Sequence, residues 1–219
     1  MMEITIVYDN EAKTGLKKGW GFSCYIETED RKILFDTGWN GCALRNNLST
    51  LNIPIEDIDI LVLSHQHWDH IGGVPEILDA NPDLDIYAPA SFSEKLKNEM
   101  SAHSTLHEIT EKCRICNNVF STGELGNGPK EQSLILKTDT GIYAITGCAH
   151  PGLEAIVGAA AAEGDVHGII GGLHDSQEYN MLNGLKFIGA GHCTSNIDTI
   201  RTRFPNAFVP IAAGSRFKL

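Results

Sequence analysis

The sequence predicts an α/β fold, a four-layer αββα sandwich in which two β-sheets face each other and helices cover the outer faces. Residues 59–64 (DILVLS) form a nearly continuous apolar run, which is typical of a strand buried on both faces and therefore covered by helices. Each half of the chain also offers a hairpin followed by alternating strand and helix patterns, so each half can build one sheet.

The first half of the chain supplies five strand signals and one clear helix. Residues 3–8 alternate in polarity and are rich in β-branched types, and a hairpin follows them. Ser91 stands three residues before Glu94, a capping-box spacing that predicts the start of an amphipathic helix. The predicted elements are strands over 3–8, 22–27, 31–35, 59–64 and 84–88, and a helix over 91–100.

The second half repeats this pattern, with a turn at residues 139–141 between its first two strands. We predict strands over 132–138, 142–146, 166–170 and 185–190, helices over 152–162 and 195–203, and two short closing strands over 207–211 and 215–218. No linker rich in Pro, Gly and Ser interrupts the pattern. We therefore predict a single domain over residues 1–219.

Composition narrows the class of partner. Hydrophobic residues make up 42% and charged residues 21% of the chain, values typical of a globular protein. The formal net charge of −11 disfavours binding to phosphate backbones. We therefore expect a small-molecule substrate and no nucleic acid, and composition does not determine the oligomeric state.

The sequence also predicts a cytoplasmic protein with no membrane association. Residues 1–5 (MMEIT) lack the basic and apolar regions of a signal peptide. No apolar run approaches the ~20 residues that span a bilayer. Six cysteines in 219 residues are too sparse for a secreted disulfide scaffold, so we expect them to be mostly reduced.

Four potential metal ligands lie within six residues directly after the predicted strand 59–64. His65 and His67, two apart in extended chain, point to the same side and can bind one divalent ion. Asp69 and His70 follow where the chain turns and can face a second ion close by. Imidazole and carboxylate donors suit zinc, manganese or iron, so spacing alone does not name the metal.

The segment 65–70 (HQHWDH) matches the HxHxDH signature of the metallo-β-lactamase superfamily, and the rest of the chain resembles that family in motif order. Residues 34–38 (LFDTG) resemble the first motif, a strand ending in Asp. Residues 146–150 (TGCAH) and 189–194 (GAGHCT) resemble the third and the last motifs. Because the motifs run from residue 34 to 194, the resemblance covers nearly the whole chain and implies a metallo-β-lactamase-like sandwich.

Further details are similar to one branch of that superfamily, loosely described as metal-dependent hydrolases. The details are Asp9-Asn10 and the segments 147–152 (GCAHPG), 171–174 (GGLH) and 192–194 (HCT). This branch includes archaeal enzymes similar to dihydropteroate synthase, which join a pterin diphosphate to a ribofuranosyl-aminobenzene phosphate in methanopterin synthesis. The resemblance therefore implies a hydrolase or a synthase.

The resemblance also implies a site for one or two divalent ions, with zinc favoured and manganese or iron as alternatives. The ligands it implies are His65, His67 and His150 for the first ion, and Asp69, His70 and His192 for the second. Where the family has a bridging Asp, this chain has His174 followed by Asp175, and either is a candidate ligand. Asp69 and Asp36 are the predicted catalytic residues, with Asp36 placed behind a ligand imidazole as its hydrogen-bond acceptor.

Three alternatives stay open from sequence alone. A lactonase, or a phosphodiesterase or nuclease of the same superfamily, would share the metal ligands but differ in substrate. A non-catalytic metal-binding or redox module is the third reading.

Cys113 and Cys116 form one CxxC, and a structural zinc site would need two more ligands nearby.

Overall fold

The computed structural model describes residues 2–219, which form two compact units. The first unit comprises the chain up to Thr110 together with Ala212–Leu219, and the second comprises Glu111–Ile211. Each unit contains one mixed β-sheet with helices packed against it. The assignment of both units to a single domain stays a prediction.

The first unit contains seven strands and four α-helices. The strands are β1 Glu3–Tyr8, β2 Ser23–Glu27, β3 Lys32–Phe35, β4 Ile60–Val62, β5 Asp85–Pro89, β6 Thr105–Ile109 and β13 Arg216–Lys218, and the helices are α1 Gly41–Thr50, α2 Trp68–Ile71, α3 Val74–Ala80 and α4 Glu94–His103. The sheet order is β13-β1-β2-β3-β4-β5-β6. Pairing is antiparallel from β13 to β3 and parallel from β3 to β6.

The core of the first unit explains why β4 is apolar throughout. All three of its residues are buried, as the run at 59–64 predicts. Leu44 and Leu48 of α1, Ile77 of α3, Leu61 of β4 and Ile86 of β5 are fully buried in one cluster. Burial of each such side chain contributes about 1.5–3 kcal/mol relative to exposure. The strand that precedes the histidine segment is therefore buried and paired on both sides, by β3 and β5.

The second unit contains six strands and two α-helices. The strands are β7 Glu111–Cys116, β8 Val119–Gly123, β9 Leu134–Thr138, β10 Gly141–Thr146, β11 Val166–Gly172 and β12 Phe187–Gly191, and the helices are α5 Leu153–Ala161 and α6 Ile197–Arg203. The order is β12-β11-β10-β9-β8-β7, with β10, β11 and β12 parallel. Leu153, Ile156 and Ala160 place one face of α5 in the core.

Two predicted elements need correction. The helix predicted over 91–100 begins three residues later, at Glu94, and its cap is Ser93 rather than Ser91. The Ser93 side chain accepts a hydrogen bond from the Leu96 N–H, while the neighbouring Phe92 is buried in the core. The predicted strand 207–211 is reduced to an isolated bridge between Ile188 and Phe208.

Several elements were not predicted at all. Helices α1, α2 and α3 and strands β6, β7 and β8 lie in stretches with weak periodicity.

The six cysteines all carry free thiols. Within residues 2–219, no helix has the length and apolar character that crossing a membrane requires.

Candidate metal centre

The segment 65–70 begins in the loop after β4 and continues into α2, whose first residue is Trp68. Nε2 of His65 lies 3.0 Å from Nδ1 of His67. Two nitrogen ligands of one tetrahedral zinc ion, each ~2.0–2.1 Å from the metal, stand ~3.3 Å apart. The pair of imidazoles therefore fits a shared metal ion.

Asp69 and His70 lie in the first turn of α2, directly after this pair. The ring centroids of His65 and His70 are 4.2 Å apart, and Oδ2 of Asp69 lies 3.9 Å from Nε2 of His70. The Asp69 side chain is only 14% exposed. A carboxylate and an imidazole so placed suit a second divalent ion. Trp68, in contrast, is 70% exposed and does not pack under the turn.

Asp36 lies behind these ligands, directly after β3, and is fully buried. Its Oδ2 accepts hydrogen bonds from Nδ1 of His70 at 2.6 Å and from the Ser64 hydroxyl at 2.7 Å. Its Oδ1 accepts the Ser64 backbone N–H at 2.7 Å. Because Nδ1 of His70 donates to a carboxylate, its Nε2 carries the lone pair that a metal requires.

Ser64 extends the influence of Asp36 to a second imidazole. Its hydroxyl hydrogen points to Asp36, so its oxygen accepts Nδ1–H of His65 at 2.9 Å. Nε2 of His65 then also carries a lone pair. One buried carboxylate thus selects the tautomer of two candidate ligands, and Ser64 is a residue that sequence reasoning missed.

Thr37 fixes the backbone of the same turn. Its N–H and its hydroxyl both donate to the His70 carbonyl oxygen, at 2.7 and 2.8 Å. The hydroxyl oxygen accepts the Gly73 N–H at 3.1 Å. These bonds tie α2 to the loop after β3, so the first motif and the histidine segment form one rigid group.

In the second unit, the other three candidate histidines follow three neighbouring parallel strands. His150 comes after β10, His174 after β11 and His192 after β12. Because parallel strands end at the same edge of a sheet, the unit gathers these side chains at one edge. The backbone N–H of His150 donates to Oε2 of Glu131 at 2.9 Å.

His174 lies beside His150, with 5.0 Å between the ring centroids. Nδ1 of His174 is 2.8 Å from Oδ1 of Asp175. This hydrogen bond raises the pKa of the His174 imidazole and lowers the pKa of the Asp175 carboxyl. His150, His174 and Asp175 all line a cavity of about 360 Å³, and the side chain of His174 is less exposed, at 46%, than that of Asp175, at 82%. Of the two candidates at this motif, His174 is the one whose ring lies next to that of His150.

His192 has a positive φ of 47° and is buried. The Thr194 hydroxyl donates to the Gly191 carbonyl at 2.7 Å and accepts the Leu173 N–H at 2.9 Å. The Ser195 N–H donates to the His174 carbonyl oxygen at 2.9 Å. The loops that carry His174 and His192 are therefore tied together by hydrogen bonds.

Cys113 and Cys116 lie in β7, which is not one of the strands that the candidate metal ligands follow. Burial raises the pKa of the Cys113 thiol. No His, Asp, Glu or further Cys in the described part of the chain joins them in a metal-ligand group. The structure therefore lends no support to a structural zinc site at this CxxC.

A family model described as the metallo-beta-lactamase superfamily matches residues 21–173, and the chain belongs to this superfamily. Members of the superfamily are mostly metal-dependent hydrolases and bind divalent metals. The predicted resemblance, the α/β class and the metallo-β-lactamase-like fold are thereby confirmed.

Three known proteins are similar to this chain over most of its length. The 7,8-dihydropterin-6-methyl-4-(beta-D-ribofuranosyl)-aminobenzene-5'-phosphate synthase of Methanocaldococcus jannaschii is 28% identical over 236 residues, 80% of each chain. An uncharacterised protein of the same archaeon is 30% identical over 206 residues, 78% of each chain. The crystal structure of Tm1679, a metal-dependent hydrolase of the beta-lactamase superfamily, has a TM-score of 0.81 and 22% identity and covers 100% of this chain and 99% of that one.

Proposed function

We propose that this chain is a metal-dependent hydrolase, or a synthase built on the same metal site, that acts on a small phosphorylated or ester-like molecule. The observation that carries the proposal is the buried carboxylate of Asp36, which directs the metal-binding nitrogens of His65 and His70. Carboxylate partners of this kind fix the tautomer of metal-binding histidines and raise their basicity.

The proposed ligands come from both halves of the chain. They are His65, His67 and His150 for the first ion, and Asp69, His70 and His192 for the second, with His174 as an additional ligand. The superfamily match spans residues 21–173 and so includes the first five of these ligands in chain order, His65, His67, Asp69, His70 and His150. Zinc is the proposed ion, with manganese and iron as alternatives, because imidazole and carboxylate donors suit all three.

A bound divalent ion would supply a Lewis acid and lower the pKa of water from 15.7 to about 7. The chain's own residues prepare the site for this chemistry. Asp36 holds protons on Nδ1 of His70 and, through Ser64, on Nδ1 of His65. The Asp69 carboxylate is proposed to bind an ion and to hold a proton during the reaction. His67 is exposed, so its side chain is open to solvent.

The substrate class is proposed on two grounds. The curated relative from Methanocaldococcus jannaschii is named for a phosphorylated product, and the alignment covers 80% of both chains. The net charge of −11 opposes binding to nucleic acid. We therefore propose a small-molecule substrate, no nucleic-acid or membrane partner, and a cytoplasmic location.

The test combines metal analysis with a substrate panel. Protein purified without added metal is analysed for zinc, manganese and iron, then assayed on a phosphomonoester, a phosphodiester, a lactone, a thioester and a diphosphate ester with an amine acceptor. We expect bound transition metal, and turnover that a chelator abolishes and zinc or manganese restores. His67→Ala is the inactive comparison, because this exposed side chain can be removed without opening the core.

Two results would contradict the proposal. A protein that contains no transition metal and gains no activity with zinc, manganese or iron would not be a metal-dependent enzyme. Turnover confined to the phosphodiester or to the lactone would replace the proposed substrate class by that of a nuclease-type phosphodiesterase or a lactonase.

A further inference from the structure

Glu131 is a fully buried carboxylate that the proposed chemistry does not use. It lies in the connection between β8 and β9. Its backbone is paired with Leu125, since the Leu125 N–H donates to the Glu131 carbonyl at 2.9 Å and the Glu131 N–H donates back at 3.1 Å. The backbone pair with Leu125 therefore fixes the position from which the Glu131 side chain extends.

The carboxylate accepts five hydrogen bonds from the turn after β10. Oε1 accepts the Thr146 hydroxyl at 2.9 Å and the N–H groups of Gly147, Cys148 and Ala149 at 3.0, 3.0 and 3.1 Å. Oε2 accepts the N–H of His150 at 2.9 Å. Successive backbone N–H groups that converge on one point form an anion-binding nest. Here the anion is a side chain of the same protein.

This turn adopts a conformation that the carboxylate helps to maintain. Ala149 has a positive φ of 61°, which costs about 1–2 kcal/mol for a residue with a Cβ. Without Glu131, the N–H groups of Gly147, Cys148 and His150 would also lose this acceptor, whereas the N–H of Ala149 still donates to the Thr146 hydroxyl oxygen at 3.1 Å. Each unsatisfied buried group costs about 1–3 kcal/mol. Glu131 therefore stabilises the turn that ends at His150.

The two carboxylate oxygens of Glu131 accept hydrogen bonds from different residues of this turn. Oε1 accepts the hydrogen bonds from residues 146–149, whereas Oε2 accepts the bond from the His150 N–H. That bond restrains the His150 backbone and therefore helps to fix the position of its ring.

We propose that Glu131 is a positioning residue for His150, which it holds in place to bind a metal ion. This inference rests on the proposed metal site. It assigns Glu131 no contact with substrate.

The test uses the isosteric variant Glu131→Gln in the full-length protein. Glutamine retains one oxygen for the four donors at residues 146–149, but its NH₂ group faces the N–H of His150. We expect zinc affinity, measured by competition with a chromophoric chelator, to fall at least tenfold, the lower limit for loss of a group that orients a ligand. We also expect the visible absorption bands of the cobalt(II)-loaded protein to shift, and the His150 amide to exchange faster with solvent.

Two controls separate positioning from general loss of stability. Ile169→Val removes one methyl group from the core of the same unit and destabilises it by about 0.5–1.5 kcal/mol. Glu111→Gln makes the same chemical change at an exposed position in β7. Both controls should bind zinc as the wild type does. Glu131→Asp keeps the charge and should recover part of the lost affinity.

Three outcomes would overturn the inference. Zinc affinity in Glu131→Gln within twofold of the wild type would show that Glu131 supports only the fold. An equal loss in Ile169→Val would attribute the effect to stability alone. A wild-type protein that binds neither zinc nor cobalt would overturn the proposed function itself, whereas the first two results leave it intact.

Discussion

Asp36 is the buried carboxylate that links the first motif to the histidine segment. It combines full burial with a positive φ of 57° and three hydrogen bonds. Backbone strain of this kind persists where surrounding contacts hold it in place, and it clusters at functional sites. The strained residue is thus the one that orients two candidate ligands.

Replacing Asp36 by Asn tests this role with little change in shape. Asn tolerates positive φ, but it leaves one oxygen where three donors need two. Its NH₂ group then opposes either Ser64 or Nδ1 of His70. We expect zinc affinity to fall about 10–100-fold, measured by chelator competition. Asp30→Asn in the exposed turn between β2 and β3 is the matched control. Equal affinity in wild type and Asp36→Asn would refute the tautomer argument.

At the scale of elements, glycines decide how closely the second-unit turns approach. A Cβ at Gly171 would overlap the Thr146 carbonyl oxygen of the adjacent strand, and φ there is +129°. A Cβ at Gly172 would lie 2.7 Å from Sγ of Cys193. The loops that precede His150, His174 and His192 can meet only because these two positions lack side chains.

Two glycine substitutions should therefore have opposite effects on stability. Gly158→Ala lies in the interior of α5 with nothing within 4 Å of the new Cβ, so it should raise the free energy of unfolding by about 0.5–1 kcal/mol. Gly171→Ala should lower it by about 2–4 kcal/mol, because strain at φ adds to displacement of β10. Urea titrations with linear extrapolation measure both values. A Gly171→Ala protein as stable as the wild type would show that β10 and β11 separate easily.

At the scale of the whole molecule, metal binding should be coupled to folding. A ligand that binds only the folded state stabilises it by about 2.7 kcal/mol at 100 times its Kd. For a chain of this size that corresponds to a rise in Tm of about 5–10 °C. Differential scanning calorimetry with zinc, and with zinc followed by EDTA, measures the shift.

The matched variant for this experiment is His67→Ala. The side chain is exposed, so its removal changes the proposed first site without altering the core. We expect the zinc-dependent rise in Tm to shrink strongly. A rise as large as that of the wild type would mean that zinc binds elsewhere, for instance at exposed Cys42.

Some features follow from sequence because the contacts behind them are local. The apolar run in the sequence predicts the buried strand β4. The histidine segment after it is recognisable because four potential metal ligands fall within six residues. The order of the motifs was enough to identify the superfamily. Strands β1, β2 and β3 were predicted almost to the residue, because alternation and β-branched residues mark them.

Other features depend on contacts between distant residues, which only the tertiary structure reveals. Helix α1 is rich in Asn, Ser and Thr and therefore has weak helix propensity. Its conformation depends on packing by Leu44 and Leu48. It also depends on the buried Asn47 side chain, which donates hydrogen bonds to the backbone carbonyl oxygens of Val7 and Lys17. Nothing near Glu131 in the sequence indicates that it meets a turn 15 to 19 residues later. Sequence thus determined the family and the candidate ligands, whereas the fold decided which polar groups orient them, because orientation requires partners brought together by packing.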